Sequence, residues 1–150
     1  MVSDRFGCPN HAFKFGPSNG YINLGDTLDE VFAAPDSSFA FSVWIKKTSN
    51  FAYGTIIAKN AGNYCGLNGR QFNLKLQSNG KIRFVFASTL NYQILETMET
   101  IGTVSDLNWH HVAFNYDGSI NTSGPDRVEI YIDNQLQSVN TWNSYGNMSD

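Results

Sequence analysis

Polar and apolar residues alternate along much of the chain. In "FAFSVWI" (39–45), Phe39, Phe41, Val43 and Ile45 fall on one side, and Ala40, Ser42 and Trp44 on the other. This is the period of a half-buried strand. "FNLKLQ" (72–77) sets Phe72, Leu74 and Leu76 against Asn73, Lys75 and Gln77, and "IRFVFA" (82–87) repeats the pattern with Ile82, Phe84 and Phe86. Between them Asn79-Gly80 stands where a type I′ turn needs positive φ, so 72–87 reads as a hairpin. "WHHVAFNY" (109–116) and "RVEIYID" (127–133) add two strands, and Asp133-Asn134 makes a tight turn into "QLQSV" (135–139). Shorter strands are expected at 11–15, 21–24, 55–59 and 92–96. One short helix is expected over 26–34, ended by Pro35, because the residue before a proline is pushed toward extended geometry. Many short strands between turn signals predict an antiparallel sandwich or barrel.

Composition supports that class. Charged residues make up 15% of the 150-residue chain, against about 25% in typical domains, while aromatics reach 14%. The polar surface is built from Asn, Ser, Thr, Gln and Gly, which favour turns over helices. The length suits one domain over 1–150. A net charge of −3 gives no basic face for nucleic acid, and no apolar run is long enough to insert in a membrane. The N-terminal residues lack the charged and apolar regions of a signal peptide. Cys8 and Cys65 are able to pair in a disulfide, and their spacing matches no zinc motif.

Several segments, in order, carry a resemblance: "DRFGCPNHAFKF", "GYINLG", "FAFSVWIKKTSN", "TIIAKN", "LNWHHVAFNYDG" and "VEIYIDNQ". Together they resemble the laminin-G-like jelly roll of the concanavalin A-like lectin/glucanase superfamily. The resemblance implies an all-β antiparallel sandwich and a module of extracellular, surface-attached or particle-associated proteins. In such domains "IYIDNQ" is followed by further closing strands. Here the sequence stops at "NTWNSYGNMSD", so the expectation is a sandwich lacking those strands, with an open edge beside 11–15. A homodimer or an edge-strand partner is the expected way to complete it.

The paired histidines invite a metal or catalytic reading, but alternation sends His110 and His111 to opposite faces, and the third histidine, His11, is remote in sequence. A scaffold role is expected. The resemblance implies the same: the tryptophan packs in the sandwich and a histidine is hydrogen-bonded inside it. The superfamily's glucanases carry a motif like E-x-D-x-x-E, which is absent. Glu129 and Asp133 stand roughly 13 Å apart on a strand at about 3.3 Å per residue, beyond the 5–9.5 Å or so of glycosidase pairs. Glu96 and Glu99 are expected as surface carboxylates. The chain therefore reads as a non-catalytic module that binds a polysaccharide or glycan. The alternatives are a protein-interaction or structural module of the same fold and, more weakly, a degenerate glycosidase.

Sugars stack their C–H faces on exposed aromatic rings while planar polar groups read the hydroxyls. The candidates outside the core strands are Phe51, Tyr53, Tyr64, Asn68, Arg70, Tyr92, Trp142, Asn143 and Tyr145. A coplanar Trp–Tyr pair in a groove would favour sugar; scattered or buried rings would favour the interaction reading. The resemblance also implies one structural calcium ion. Asn19, Gly20 and Asp26 are its candidate oxygen donors, with the Asp117 and Asp126 loop as a second option. Asn121 and Asn147 begin Asn-x-Ser sequons, relevant to glycosylation in a eukaryotic secretory setting.

Overall fold

The computed structural model describes residues 1–16, 20–25, 38–50, 52–59, 71–88, 93–120 and 125–142. Among the described residues, nine strands form two antiparallel sheets. They are β1 (Phe39–Lys46), β2 (Gly54–Lys59), β3 (Gln71–Leu76), β4 (Lys81–Ser88), β5 (Gln93–Thr103), β6 (Trp109–Tyr116), β7 (Val128–Ile132), β8 (Gln135–Leu136) and β9 (Val139–Trp142). One sheet has the order β1-β6-β7-β8 and the other β2-β3-β4-β5-β9. The chain changes sheet between β1 and β2, between β5 and β6, and between β8 and β9, which makes a jelly-roll sandwich.

The alternation sets which face each strand buries. Phe72, Leu74, Leu76, Ile82, Phe84 and Met98 of the five-stranded sheet meet Val112, Phe114, Tyr116, Val128, Ile130 and Ile132 of the four-stranded one. Aromatic rings join the layers: Phe84 and Phe114 lie 4.6 Å apart, and Phe39 sits 5.0 Å from Phe72. The strands expected at 39–45, 55–59, 72–77, 82–87, 109–116 and 127–133 are present.

Other expectations need correction. The hairpin turn after β3 is not type I′. Among the residues of "QSNGK" only Gly80 has positive φ (82°). Gly80 donates to the Gln77 carbonyl and Gln77 to the Lys81 carbonyl. Leu76 and Ile82 are partners, so the loop is the longer kind that closes with a glycine bulge. The type I′ turn occurs instead at Asp133 (φ 50°) and Asn134 (φ 64°).

The segment expected as one strand at 135–139 is two. β8 pairs with β7, and the chain then crosses to β5, with Gln137 donating to the Ile130 carbonyl and Ile101 to that of Ser138. The strand expected at 92–96 continues to Thr103. Residues 11–15 and 21–24 are not strands. Alternation alone does not make a strand without a partner backbone, and among the described residues pairing here extends only to the Val2–Ala12 bridge. Phe13, Phe15, Tyr21, Ile22 and Leu24 remain exposed. The helix expected at 26–34 lies outside the described residues.

Candidate functional site

The outward face of the five-stranded sheet carries a polar ladder. Strand register aligns Thr55, Lys75, Arg83, Glu99 and Asn140 in one row across all five strands. The neighbouring row runs Ala58, Asn73, Val85, Thr97 and Trp142. In β3, β4 and β5 these positions lie outward because their sequence neighbours Phe72, Leu74, Ile82, Phe84 and Met98 are in the core.

Tyr53 stands at the start of β2 with 80% of its surface exposed. It borders an open cleft of about 340 Å³ lined also by Thr55, Lys75, Gln77, Arg83 and Val85. The cleft thus combines a phenol ring, a hydroxyl, an amide, an ammonium and a guanidinium.

Charge on this face is organised around Glu99, whose side chain is 5% exposed. Arg83 donates to Glu99 Oε2 through Nε (3.0 Å) and Nη2 (2.7 Å), and Lys81 Nζ lies 3.4 Å from Oε1. The sequence placed Glu99 on the surface; the structure buries it beneath two cations. Asn73 Oδ1, in the next row, is buried with no hydrogen-bond partner among the described residues. A buried acceptor left unmatched is uncommon in folded proteins.

The sugar-site candidates divide. Tyr53 is on the cleft. Trp142 is not a tail residue: its backbone forms the end of β9 opposite Thr97, at the far edge of the same sheet. At about 4.8 Å per strand, β2 and β9 stand roughly 19 Å apart, so Tyr53 and Trp142 are no adjacent pair. Phe51, Tyr64, Asn68, Arg70, Tyr92, Asn143 and Tyr145 lie outside the described residues. Sequence reading missed Asn73, Lys75, Arg83 and Asn140. The polar positions of "FNLKLQ" and "IRFVFA" did mark an outward face, but only register shows them in line with one another and with Glu99.

His110 is held between two carboxylates. His110 Nδ1 meets Asp133 Oδ2 at 2.7 Å, and Nε2 meets Asp106 Oδ1 at 3.0 Å. Asp133 Oδ1 also accepts the His111 N–H at 2.9 Å. Burial works against the imidazolium, yet the hydrogen bonds to Asp133 and Asp106 outweigh it and raise the His110 pKa above 6.5. The Asn108 backbone N–H, followed by His110, holds Asp106 below 3.8. The three side chains tie the β7–β8 turn to the loop before β6. His111 points the other way, its ring 5.1 Å from Trp44.

Trp109 differs from expectation. It shares the outer face with His111 and is half-buried, because Val112, Phe114 and Tyr116 occupy the alternate, inward positions.

The other carboxylates have separate duties. Glu129 accepts from Asn115 and Tyr131, whereas Asp133 serves His110, so they do not form an acid–base pair. Asp117 Oδ1 accepts from the Ser119 N–H and hydroxyl and from the Ser38 hydroxyl. Those bonds, Ser119 first, lower its pKa. Asp117 Oδ1 is thus committed to these donors, Asp126 is exposed, and residues 121–124 of this loop lie outside the described residues. Of the other calcium donors, Gly20 is described, while Asn19 and Asp26 lie outside the described residues. Cys8 is an exposed free thiol, and Cys65 also lies outside them.

A family model described as the Concanavalin A-like lectin/glucanases superfamily, of the laminin-G type, matches residues 16–147. The chain belongs to this family. No curated protein and no solved structure matches it.

Proposed function

We propose that the chain is a non-catalytic carbohydrate-binding module whose glycan lies along the outward face of the five-stranded sheet. The observation that carries this reading is the exposed Tyr53 ring at the edge of a cleft continuous with the row Thr55–Lys75–Arg83–Glu99–Asn140. A ring offers a stacking surface for a sugar's apolar face. The amide, hydroxyl and guanidinium groups offer directed hydrogen bonds. Family membership supports a sugar-binding or related module in general.

The charge of the cleft favours a particular class of glycan. Among the described residues Lys75 and Arg83 line it and no Asp or Glu does; Arg83 is paired with Glu99, so the positive charge of the cleft rests on Lys75. The chain as a whole is acidic, so this local positive charge stands out. The preferred ligand is a polysaccharide bearing carboxylates, such as an alginate or a pectin, over a neutral β-glucan.

Catalysis is not part of this reading. Among the described side chains of the two central rows, Glu99 is the one carboxylate, and it is held by Arg83 and Lys81. A glycosidase needs two at defined separation. A protein-interaction role is the second reading, favoured by the exposed Phe13, Phe15, Tyr21 and Ile22. Affinity electrophoresis against acidic and neutral polysaccharides separates the two. Retardation by a polysaccharide, lost in Tyr53→Ala, supports the sugar site. No retardation by any polysaccharide refutes it.

A further inference from the structure

We propose that Asp4, Cys8 and His11 bind a divalent transition metal of the zinc class. A carboxylate oxygen, a thiol sulfur and an imidazole nitrogen from these residues all lie within 4.8 Å of one another. The site is independent of the glycan face.

The N-terminal loop is built to hold this cluster. Val2 and Ala12 exchange both backbone hydrogen bonds, at 2.8 and 3.1 Å, and so close the loop at its base. Inside it, Asp4 donates to the Cys8 carbonyl and Gly7 to that of Asp4. Gly7 (φ 85°) and Asn10 (φ 62°) take left-handed conformations. For Asn10, a residue with a side chain, that conformation is uncommon. The turn through Pro9 and Asn10 brings His11 back beside Cys8.

One oxygen of Asp4 is already committed. Oδ1 accepts the N–H groups of Phe6 and Cys8, both at 2.9 Å. That fixes the carboxylate and turns Oδ2 toward His11 Nδ1, 3.7 Å away. This is too long for a hydrogen bond. The loop is also seated on the sandwich, with the Arg5 guanidinium 4.2 Å from the Trp44 ring and 4.3 Å from Phe6.

Donor chemistry selects the ion. Calcium takes oxygen ligands, whereas a thiolate, an imidazole and a carboxylate together suit zinc or cobalt. Metal–ligand bonds of about 2.0–2.3 Å require the three atoms to draw closer than they stand. Cys8 and His11 are exposed, so their side chains make that move without disturbing the core. Binding forms a metal–sulfur bond and releases the thiol proton to solvent. Water completes the coordination.

The test is a Co²⁺ titration of the whole chain under reducing conditions. The expected result is a thiolate-to-cobalt charge-transfer band that Zn²⁺ displaces. Cys8→Ser abolishes the band and Cys65→Ser preserves it. Asp4→Asn, which keeps the Oδ1 cap, and His11→Ala each weaken Co²⁺ binding by at least about tenfold, the scale on which even an outer-shell partner acts. Absence of the band overturns the proposal, as does a band that survives in Cys8→Ser or unchanged affinity in both Asp4→Asn and His11→Ala.

Discussion

Arg83 and Glu99 face each other across β4 and β5, and both Nε and Nη2 of the arginine donate to the same carboxylate oxygen. Glu99 is nearly buried while the Arg83 side chain is 39% exposed. Removing the arginine leaves a buried charge with Lys81 as the cation beside it among the described residues. Full loss of a buried partner costs about 3–5 kcal/mol, and solvent access to Arg83 reduces that. Arg83→Ala is expected to destabilise by roughly 1–3 kcal/mol in urea unfolding. Arg83→Ala combined with Glu99→Gln recovers part of the loss. An unchanged midpoint in Arg83→Ala would show that the pair contributes nothing.

Thr100 repairs an irregularity in the same strand pair. The register shifts around Ile82, between the Lys81–Thr103 and Arg83–Glu99 partners. The Ile82 N–H finds the Thr100 hydroxyl at 3.0 Å, and that hydroxyl donates to the Gly102 carbonyl at 2.7 Å. Thr100→Val keeps the shape and strands both groups, for an expected cost of about 1–3 kcal/mol. Thr100→Ser keeps the hydroxyl and should cost less. Equal stabilities for the two variants would show that the hydroxyl contributes nothing.

Gly80 is required twice over. Its φ of 82° disfavours any side chain, and a Cβ there would lie 2.5 Å from the Val104 carbonyl oxygen, a backbone atom. Gly80→Ala should cost more than the 1–2 kcal/mol or so of left-handed strain alone. Gly25→Ala, with φ 65° and no described atom within 4 Å of the added Cβ, is the comparison for the strain. Comparing the two by thermal unfolding measures the contribution of the clash.

The His110 cluster gives stability a pH window. The His110 pKa is raised above 6.5 by Asp133 and Asp106. Its contribution is therefore complete below pH 6.5 and disappears as pH rises through the raised value. The pKa values of Asp106 and Asp133 lie below 3.8. Their contribution is complete above that value and is lost as pH falls through the lowered ones. Unfolding midpoints should decline on both sides of the interval between, and His110→Gln should flatten the alkaline side. An alkaline slope unaltered by His110→Gln would contradict the assignment.

How much of this was legible in the sequence depended on whether the cause was local. Period-two alternation placed β1, β3, β4, β6 and β7, because each strand buries one face and the core must be apolar. It misplaced 11–15 and 21–24, where the same alternation occurs without an extended partner strand. Turn chemistry was legible at Asp133-Asn134, but the Asn79-Gly80 turn took the three-residue form that the same dipeptide also permits. Tyr53 was legible as a loop aromatic. The ladder beside it was not, since the contact between Arg83 and Glu99 depends on a register shift. The Cys8–His11 spacing was visible too, but it gains meaning only when the Val2–Ala12 bridge closes the loop around Asp4.

The proposed glycan site lies beside Tyr53. Its most direct test is affinity electrophoresis of the wild-type chain and Tyr53→Ala through gels containing alginate, pectin or a neutral β-glucan. Tyr53 is exposed, so the variant should keep its unfolding midpoint. A glycan site there predicts retardation of the wild type by an acidic polysaccharide. In the variant that affinity falls at least about tenfold, equivalent to about 1.4 kcal/mol. Failure of every polysaccharide to retard the wild type, or equal retardation of the two proteins, would contradict it.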